Sequence, residues 1–138
     1  MKLAVDLLSP ELLGDIALNM TNDILEKCSK IEKGKKKYLL TKSQIRKFYS
    51  EFKFIEMKLP PAEKIPDDLY SQIKLLKAKA IYNSARKNTR LPQSFVDFIE
   101  FCVDSVKYND TNNKKTFIKI CRLFEAFVGY SSAFNLEQ

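Results

Sequence analysis

The chain has 138 residues, 45% of them hydrophobic and 30% charged, a composition that fits one folded domain and excludes extensive disorder. Lysine and arginine outnumber aspartate and glutamate by 24 to 17, and the resulting net charge of +7 favours anionic partners, nucleic acid before an acidic membrane surface or an acidic protein. Histidine is absent, which excludes Ser-His and Cys-His nucleophile pairs, histidine-bound zinc and the usual acid–base group of neutral pH.

The first forty residues predict one helix followed by a basic loop. Ser-Pro-Glu at 9–11 is typical of a helix start, with a capping side chain before a proline. Apolar residues at helical spacing continue from 12 to about 31, and we expect a bend near 19–22. The run IEKGKKK at 31–37 favours a solvated loop that ends the segment.

A second helix is predicted to begin after Thr41, because Gln44 three positions later completes a capping-box pattern. Its apolar residues recur with the helical period and form one face. That face comprises Ile45, Phe48, Tyr49, Phe52, Ile55 and Leu59. Pro60 and Pro61 end the helix.

The stretch 65–87 predicts a third helix, around which we expect the others to pack. Pro66 followed by two aspartates suits a first helical turn. At about 100° per residue, two apolar stripes lie on nearly opposite sides of this helix. They are Leu69, Ile73, Leu76 and Ala80 on one side and Leu75, Ala78, Tyr82 and Ala85 on the other. Because a helix that is apolar on two faces packs on two faces, this one is predicted to be the buried hub.

Two more helices complete the predicted fold, starting near Pro92 and Thr111. Their apolar faces are Phe95, Phe98, Ile99, Cys102, Val103 and Val106, then Phe117, Ile120, Cys121, Phe124, Phe127 and Val128. The absence of a longer alternating pattern and the presence of only three glycines predict an all-α fold, a compact bundle of about five helices around the central two-sided helix. We expect one domain over 1–138, with the N-terminal helix and basic loop at 1–40 and a helical core at 41–138.

Cysteine usage and the N-terminus bear on the compartment. The cysteines, Cys28, Cys102 and Cys121, lie among apolar residues without CxxC spacing, so we expect reduced core residues of a cytoplasmic protein. The N-terminal stretch is interrupted by Asp6 and Pro10, and it predicts neither a signal peptide nor a membrane span. No cofactor or metal is predicted.

Basic residues recur on the outer faces of three predicted helices. These lines are Lys42, Arg46 and Lys53; Lys79 and Arg86; and Lys115, Lys119 and Arg122. One such line is usually a solvated helix face, but three lines brought onto one groove would suit phosphate groups. Tyr49 and Tyr82 lie beside them and could stack on bases. Core packing is the favoured reading for Tyr49, and both readings stay open for Tyr82.

The carboxylate groups give little indication of an enzyme. Asp67 and Asp68 are placed to stabilise a helix start, and Asp97, Glu100 and Asp104 suit a solvated outer face. Without histidine or a glycine-rich phosphate loop, a small helical hydrolase has no positive support. A helical protein–protein interaction module with no direct nucleic-acid contact remains the alternative to a nucleic-acid-binding protein.

Three segments, TKSQIRKFYSEF, LLKAKAIYNSARK and FEAFVGY, carry a family resemblance. In order, spacing and chain length they are similar to the small subunit of type III-A CRISPR-Cas interference assemblies, the Csm complexes. The resemblance covers most of 41–130. The sequence Gly-Tyr-Ser-Ser at 129–132 departs from the family, in which alanine and then tyrosine with a basic or histidine-containing tail are frequent.

The resemblance implies a non-catalytic helical subunit of antiviral defence that lines the channel in which target RNA pairs with guide RNA. Implied partners are single-stranded target RNA and guide RNA, the backbone and large subunits of the complex, and other copies of the chain in a stack or a dimer. Matching motif positions make Arg46, Lys47, Lys77, Lys79, Arg86 and Lys87 the candidates for RNA contact. The basic lines and the open tyrosine add Tyr82, Lys115, Lys119 and Arg122.

Overall fold

The structure is a computed structural model that describes residues 3–87 and 90–138. In these ranges the chain is mostly helical, with one small antiparallel hairpin. The elements are α1 (Ala17–Lys27), β1 (Ser29–Glu32), β2 (Lys35–Tyr38), α2 (Lys42–Met57), α3 (Asp67–Ser84), α4 (Gln93–Asp104) and α5 (Asn113–Ser131). Neighbouring helices pack in the order α1, α5, α2, α3, α4, and α4 packs back on α1. The bundle is therefore a ring of five helices around one core.

The hairpin corrects the prediction of an all-α fold and of a first helix that reaches residue 31. β1 pairs with β2 so that Glu32 lies opposite Lys35. The two connecting residues, Lys33 and Gly34, have φ angles of 53° and 76°, which a two-residue hairpin turn of type I′ requires. The strands are short and mostly exposed, so they lack the alternation of apolar and polar residues by which a half-buried strand is recognised.

The N-terminal segment bends earlier than predicted. Leu12–Ile16 forms one wide helical turn in which Gly14 has non-helical angles, φ −100° and ψ −112°. From Ala17 to Lys27 the helix is continuous, so the bend expected at 19–22 is wrong. The predicted start is two residues too early: the Ser9 hydroxyl accepts from the Glu11 backbone N–H at 3.1 Å, but the helical turn begins at Leu12, after Glu11.

The start of α2 is held by its own cap and by the end of the chain. The predicted capping box is confirmed: the Thr41 hydroxyl accepts from the Gln44 backbone N–H at 3.1 Å, and the Gln44 side chain accepts from the Thr41 N–H at 3.0 Å. The next two backbone N–H groups, of Lys42 and Ser43, donate to the backbone carbonyls of Glu137 and Gln138. Residues 137–138 therefore lie on the first turn of α2.

The centre of the core is an aromatic cluster between α4 and α5. The Phe98 ring lies 4.9 Å from that of Phe127 and 5.1 Å from that of Phe124, measured between centroids, and all three residues are fully buried. The inward faces predicted for these two helices are confirmed, except that Val128 is half-buried. Each such ring contributes about 1.5–3 kcal/mol by burial and about 0.5–1.5 kcal/mol more through ring pairing. Rings of α4 and α5, joined by Phe52 of α2 at 5.3 Å from Phe124, therefore fill the centre that was predicted for α3.

α3 lies at the rim of the ring, and the prediction that it packs on two faces is wrong. One stripe is buried as expected (Leu69, Ile73, Leu76 and Ala80). The opposite stripe is exposed: Leu75 is 53% exposed, Tyr82 68% exposed, and Ala78 and Ala85 also face solvent. α4 covers one side of α3 and α2 meets its edge, so no further helix of the ring reaches the second stripe.

Two sets of polar contacts, one part-buried at Lys74 and one buried at Asn113, fix α3 and the connector before it. The Lys74 ammonium donates to the backbone carbonyls of Val103 and Val106 at 2.9 and 2.6 Å, where a cation suits the C-terminal end of α4. The buried Asn113 side chain accepts from the Ile65 N–H at 2.8 Å and donates to the Lys107 carbonyl at 3.0 Å.

None of the described helices is both long and apolar enough to cross a membrane.

Candidate nucleic-acid interface

A groove runs along the surface between α2 and α3. The two helices are antiparallel, because the start of α2 faces the end of α3. We call this surface the α2–α3 groove and divide it into an apolar half of about 460 Å³ and a basic half of about 440 Å³. The apolar half includes Phe54, Ile55, Leu75 and Leu76, the basic half includes Lys47, Tyr82, Asn83 and Arg86, and both share Glu51 and Lys79.

Helical spacing places these side chains in two facing rows. On α2, Lys47, Glu51 and Phe54 are separated by four and then three residues, so they share one face. On α3, Leu75, Lys79 and Tyr82 follow the same spacing. At the basic end a smaller hollow continues toward the start of α2 and is lined by Lys47, Arg86 and Leu91 among others. The groove is therefore a continuous path with apolar and cationic ends.

One ion pair crosses the groove. Lys79 and Glu51 meet at 3.0 Å, with side chains 47% and 30% exposed. The second carboxylate oxygen of Glu51 is buried and accepts no hydrogen bond from the residues that the structure describes. The cation predicted at Lys79 is thus locally neutralised, and a negative group lies between the two halves of the groove.

The two cations at the basic end are not neutralised in this way. Within residues 3–87 and 90–138, neither Lys47 nor Arg86 has a carboxylate at ion-pair distance. Both are exposed, and they approach the groove from opposite sides, Lys47 from α2 and Arg86 from just beyond the end of α3. Tyr82 lies beside them and is exposed to solvent. Of the two roles left open for this residue, core packing is therefore wrong, and its side chain is accessible. Tyr49 packs on Phe124 at 5.7 Å, as its core reading predicts.

Three candidates from the same segments lie outside the groove lining. Arg46 and Lys87 are exposed and flank it, on α2 and beyond the end of α3 respectively. Lys77 points the other way, toward α4, and its ammonium lies 3.1 Å from the Asp104 carboxylate. The structure therefore joins Lys47, Lys79, Tyr82 and Arg86 and separates Lys77 from them.

The basic line on α5 does not reach the α2–α3 groove. Arg122 donates to the carboxylates of Glu56 on α2 and Glu125 on α5, so its charge ties two helices together. Lys115 and Lys119 line a different hollow of about 770 Å³ beside the connector residues 61–63. The three predicted lines consequently do not form a single surface.

Glu51 and Phe54 belong to the groove, and the sequence analysis missed both. Phe54 could have been identified from the sequence, because it falls outside the predicted apolar face of α2. An aromatic residue away from the core face is a candidate for contact with a ligand or partner. Phe54 is 57% exposed, with the Lys58 ammonium 4.0 Å from its ring centroid. Glu51 offers no such indication, because its position across from Lys79 depends on the packing of two helices.

The predicted acidic residues make ordinary structural contacts. The Asp67 carboxylate accepts from the Tyr108 hydroxyl at 3.1 Å, and Asp97 accepts from the Gln93 amide at 2.9 Å. Among the described residues no group of three or more histidine, cysteine, aspartate or glutamate side chains could hold a metal ion. Nothing in these contacts gives the hydrolase alternative positive support.

The three cysteines are free and buried, as expected of core residues. Burial raises the pKa of each thiol above its usual value, and at Cys28 a hydrogen-bond contact with the Ser94 hydroxyl at 2.9 Å opposes that rise in part. A raised pKa keeps a thiol protonated, and the thiolate is the nucleophilic form. None of the three is therefore an activated nucleophile.

The chain matches a known protein family. A family model described as Csm2 Type III-A matches residues 19–137. No curated protein and no solved structure matches the chain significantly. The matched range begins within α1, includes the hairpin and both walls of the α2–α3 groove, and is wider than the 41–130 region that carries the sequence resemblance.

Proposed function

Because the chain belongs to the Csm2 family and is thus a subunit of a type III-A CRISPR-Cas complex, we propose that it is a non-catalytic RNA-binding subunit. In this proposal it lines the channel of the complex and binds the backbone of target RNA or of the guide–target duplex without sequence preference. The observation that supports this most directly is the convergence of Lys47 and Arg86 on the groove, from its two sides, with no described carboxylate partner.

The chemistry of the groove suits this role. In an RNA-guided complex, base pairing with the guide supplies sequence specificity, so a channel-lining subunit needs contacts to phosphate rather than to base edges. Arginine binds two phosphate oxygens at once and lysine acts as a point charge. Arg86 and Lys47 are the primary contacts in this proposal, Arg46 and Lys87 flank them, and Lys79 contributes only where a phosphate displaces Glu51.

The remaining candidates receive less support from the geometry. Lys77 and Arg122 are held by carboxylates of neighbouring helices, and an RNA phosphate would have to displace those partners. Lys115 and Lys119 face a separate hollow, so any phosphate they bind belongs to a different stretch of RNA. Contacts with the backbone and large subunits, stacking or dimerisation with other copies, and a cytoplasmic location are parts of the same proposal.

The exposed apolar residues of the groove favour a second candidate function. Phe54, Leu75 and Tyr82 are each more than half exposed on adjoining positions, and such patches are common at protein–protein interfaces. A helical interaction module with no direct RNA contact would use this surface for a partner protein. It predicts that RNA binding is weak and independent of the groove cations.

The experiment is an anisotropy titration of labelled single-stranded RNA of unrelated sequence across a salt series. The Lys47→Glu/Arg86→Glu variant is compared with the wild type and with Lys35→Glu/Lys107→Glu, which makes the same charge change at exposed residues elsewhere. With Lys47 and Arg86 engaged, log K should fall with log salt with a slope of about −1.4, at about −0.7 per phosphate neutralised. The groove variant should lose most of this binding and the control variant little.

Equal loss in both variants would show that net charge alone governs binding, and the proposal would then fail. Circular dichroism of each variant checks that helix content is unchanged, so that loss of binding is not loss of fold. Binding that is weak and insensitive to the groove variant would support the interaction module instead.

A further inference from the structure

The α2–α3 groove contains an exposed apolar line that phosphate binding does not explain. Leu75 and Tyr82 lie seven residues apart on one face of α3, about 10 Å along the helix, and are 53% and 68% exposed. Phe54 lies opposite Leu75 in the apolar half of the groove, on α2, and is 57% exposed. Covering such side chains is favourable by about 25 cal/mol per Å² of apolar area. An occupant of the groove that touches only its cations would leave this line in water.

The residues that line the α2–α3 groove therefore favour a ligand that has both apolar planar groups and negative charges. Duplex RNA presents phosphates and hydroxyls on its surface and keeps the faces of its bases stacked inside. Unpaired RNA presents the same phosphates together with accessible base faces, which commonly stack on aromatic side chains. Between these two ligands, the combination of Tyr82, Phe54 and Leu75 with Lys47 and Arg86 matches the unpaired strand.

The position of Glu51 sets the orientation of such a strand. Its carboxylate lies between the two halves of the groove, where it repels a phosphate and equally repels the acidic side chains of a protein segment. Its second oxygen is buried, so the oxygen that pairs with Lys79 is the one that faces the groove. Phosphates are thereby directed to the Lys47 and Arg86 end, and bases to the interior of the groove.

We infer that the α2–α3 groove binds unpaired nucleotides of single-stranded RNA, with phosphates on Lys47 and Arg86 and bases stacked on Tyr82 and the apolar half. This inference rests on the proposed function and narrows it from RNA in general to RNA that is not base-paired at the point of contact. The groove then prefers a strand before it pairs, or where its pairing is interrupted, over a continuous duplex.

The test compares two RNA probes with equal numbers of phosphates, one single-stranded and one a continuous duplex, each carrying the same fluorescent label. The wild type is compared with Tyr82→Ala, with Tyr82→Phe, which keeps the ring, and with Leu8→Ala, a change at an apolar residue that is 84% exposed outside the groove. A single-stranded probe containing a base analogue whose fluorescence is quenched by stacking provides a second reading.

The wild type should bind the single strand more tightly than the duplex. Tyr82→Ala should weaken single-strand binding about tenfold, as loss of one base–aromatic stack does, and leave duplex binding unchanged. Quenching of the base analogue should disappear in this variant and persist in Tyr82→Phe and Leu8→Ala. Lys47→Glu/Arg86→Glu should weaken binding of both probes.

Three results would overturn the inference, and they have different meanings for the proposed function. Equal binding of both probes that depends on the groove cations but not on Tyr82 leaves the proposed function intact and removes the preference for unpaired nucleotides. Binding of neither probe through the groove cations removes both. If Tyr82→Ala changes the mass of the free protein in light scattering but not its RNA binding, the exposed line is an interface between copies of the chain.

Discussion

Phenylalanine is placed differently on the two sides of this helical ring. On the α4–α5 side, Phe98 and Phe124 are fully buried with ring centroids 5.1 Å apart. On the α2–α3 side, Phe54 is 57% exposed and faces Leu75 across an open groove. The first arrangement removes apolar area from water within the chain, whereas the second leaves it available to a partner.

This difference in exposure means that different side chains determine the stability of the fold and the affinity for a ligand. Because the aromatic rings of α4 and α5 fill the centre of the bundle, side chains on the exposed groove face of α2 and α3 carry little of the packing. Substitutions there should alter RNA affinity with small effects on the free energy of unfolding, and substitutions in the aromatic cluster should do the reverse. This distinction would be wrong if substitutions on the two sides changed RNA affinity and the free energy of unfolding to the same extent.

The largest effect is expected at the centre of the aromatic cluster. Phe98→Ala removes a fully buried ring and leaves a cavity that the surrounding helices cannot fill, so we expect a loss of about 3–5 kcal/mol in the free energy of unfolding. Phe54→Ala, the same chemical change on the groove side, should cost less than about 1 kcal/mol. Urea denaturation followed by circular dichroism measures both values. Similar losses in the two variants would mean that the groove side is as tightly packed as the core.

A smaller loss is expected at the polar tie that positions α3. Asn113→Ala removes both side-chain hydrogen bonds and leaves the Ile65 N–H and the Lys107 carbonyl without these partners. Each unsatisfied buried group costs about 1–3 kcal/mol, and we expect a total of about 2–3 kcal/mol because both backbone groups can partly relax toward water. Asn112→Ala is the matched control, since Asn112 is exposed and its side chain makes no capping hydrogen bond.

Asn113→Ala also sharpens the comparison between the two sides. Asn113 fixes the connector from which α3 starts, so its loss should loosen the groove before it loosens the aromatic cluster. Hydrogen exchange measured by mass spectrometry should show faster exchange in residues 58–66 and in the first turns of α3, with α4 and the centre of α5 still protected. Uniformly faster exchange across all helices would contradict a separable groove side.

Local features of the fold were predictable from the sequence. The Thr41 capping box was found because its two partners lie three residues apart and both hydrogen bonds form within one turn. The inward faces of α4 and α5 were found because their apolar spacing is regular and the rings are large. The second stripe of α3 was misread because periodicity shows that a stripe is apolar but does not show whether another element covers it.

The hairpin and the grouping of the cations could not be predicted from the sequence either, because both depend on which segments pack together. An exposed lysine-rich strand has no apolar alternation, and only the pairing of Glu32 with Lys35 across a two-residue turn reveals it. Helical spacing correctly placed Lys115, Lys119 and Arg122 on one helix, but their partners come from other segments. Arg122 pairs with Glu56 of α2, and the two lysines line a hollow beside the connector. No pattern within α5 predicts either arrangement.

The smallest effect is expected where the groove contains its own negative charge. Glu51→Gln keeps an acceptor oxygen, removes the charge that neutralises Lys79, and should change the free energy of unfolding by less than about 1 kcal/mol because the ion pair is partly exposed. Affinity for single-stranded RNA should rise by about twofold to fivefold at low salt, since one repulsive charge is lost and one cation is freed, and the gain should shrink at high salt as screening increases. Anisotropy titrations at two salt concentrations measure this, with Glu125→Gln as the matched control, because Glu125 is an exposed carboxylate that pairs with Arg122 away from the groove. Unchanged or weaker binding in Glu51→Gln would show that RNA phosphates do not pass near Lys79, and equal gains in both variants would assign the effect to net charge.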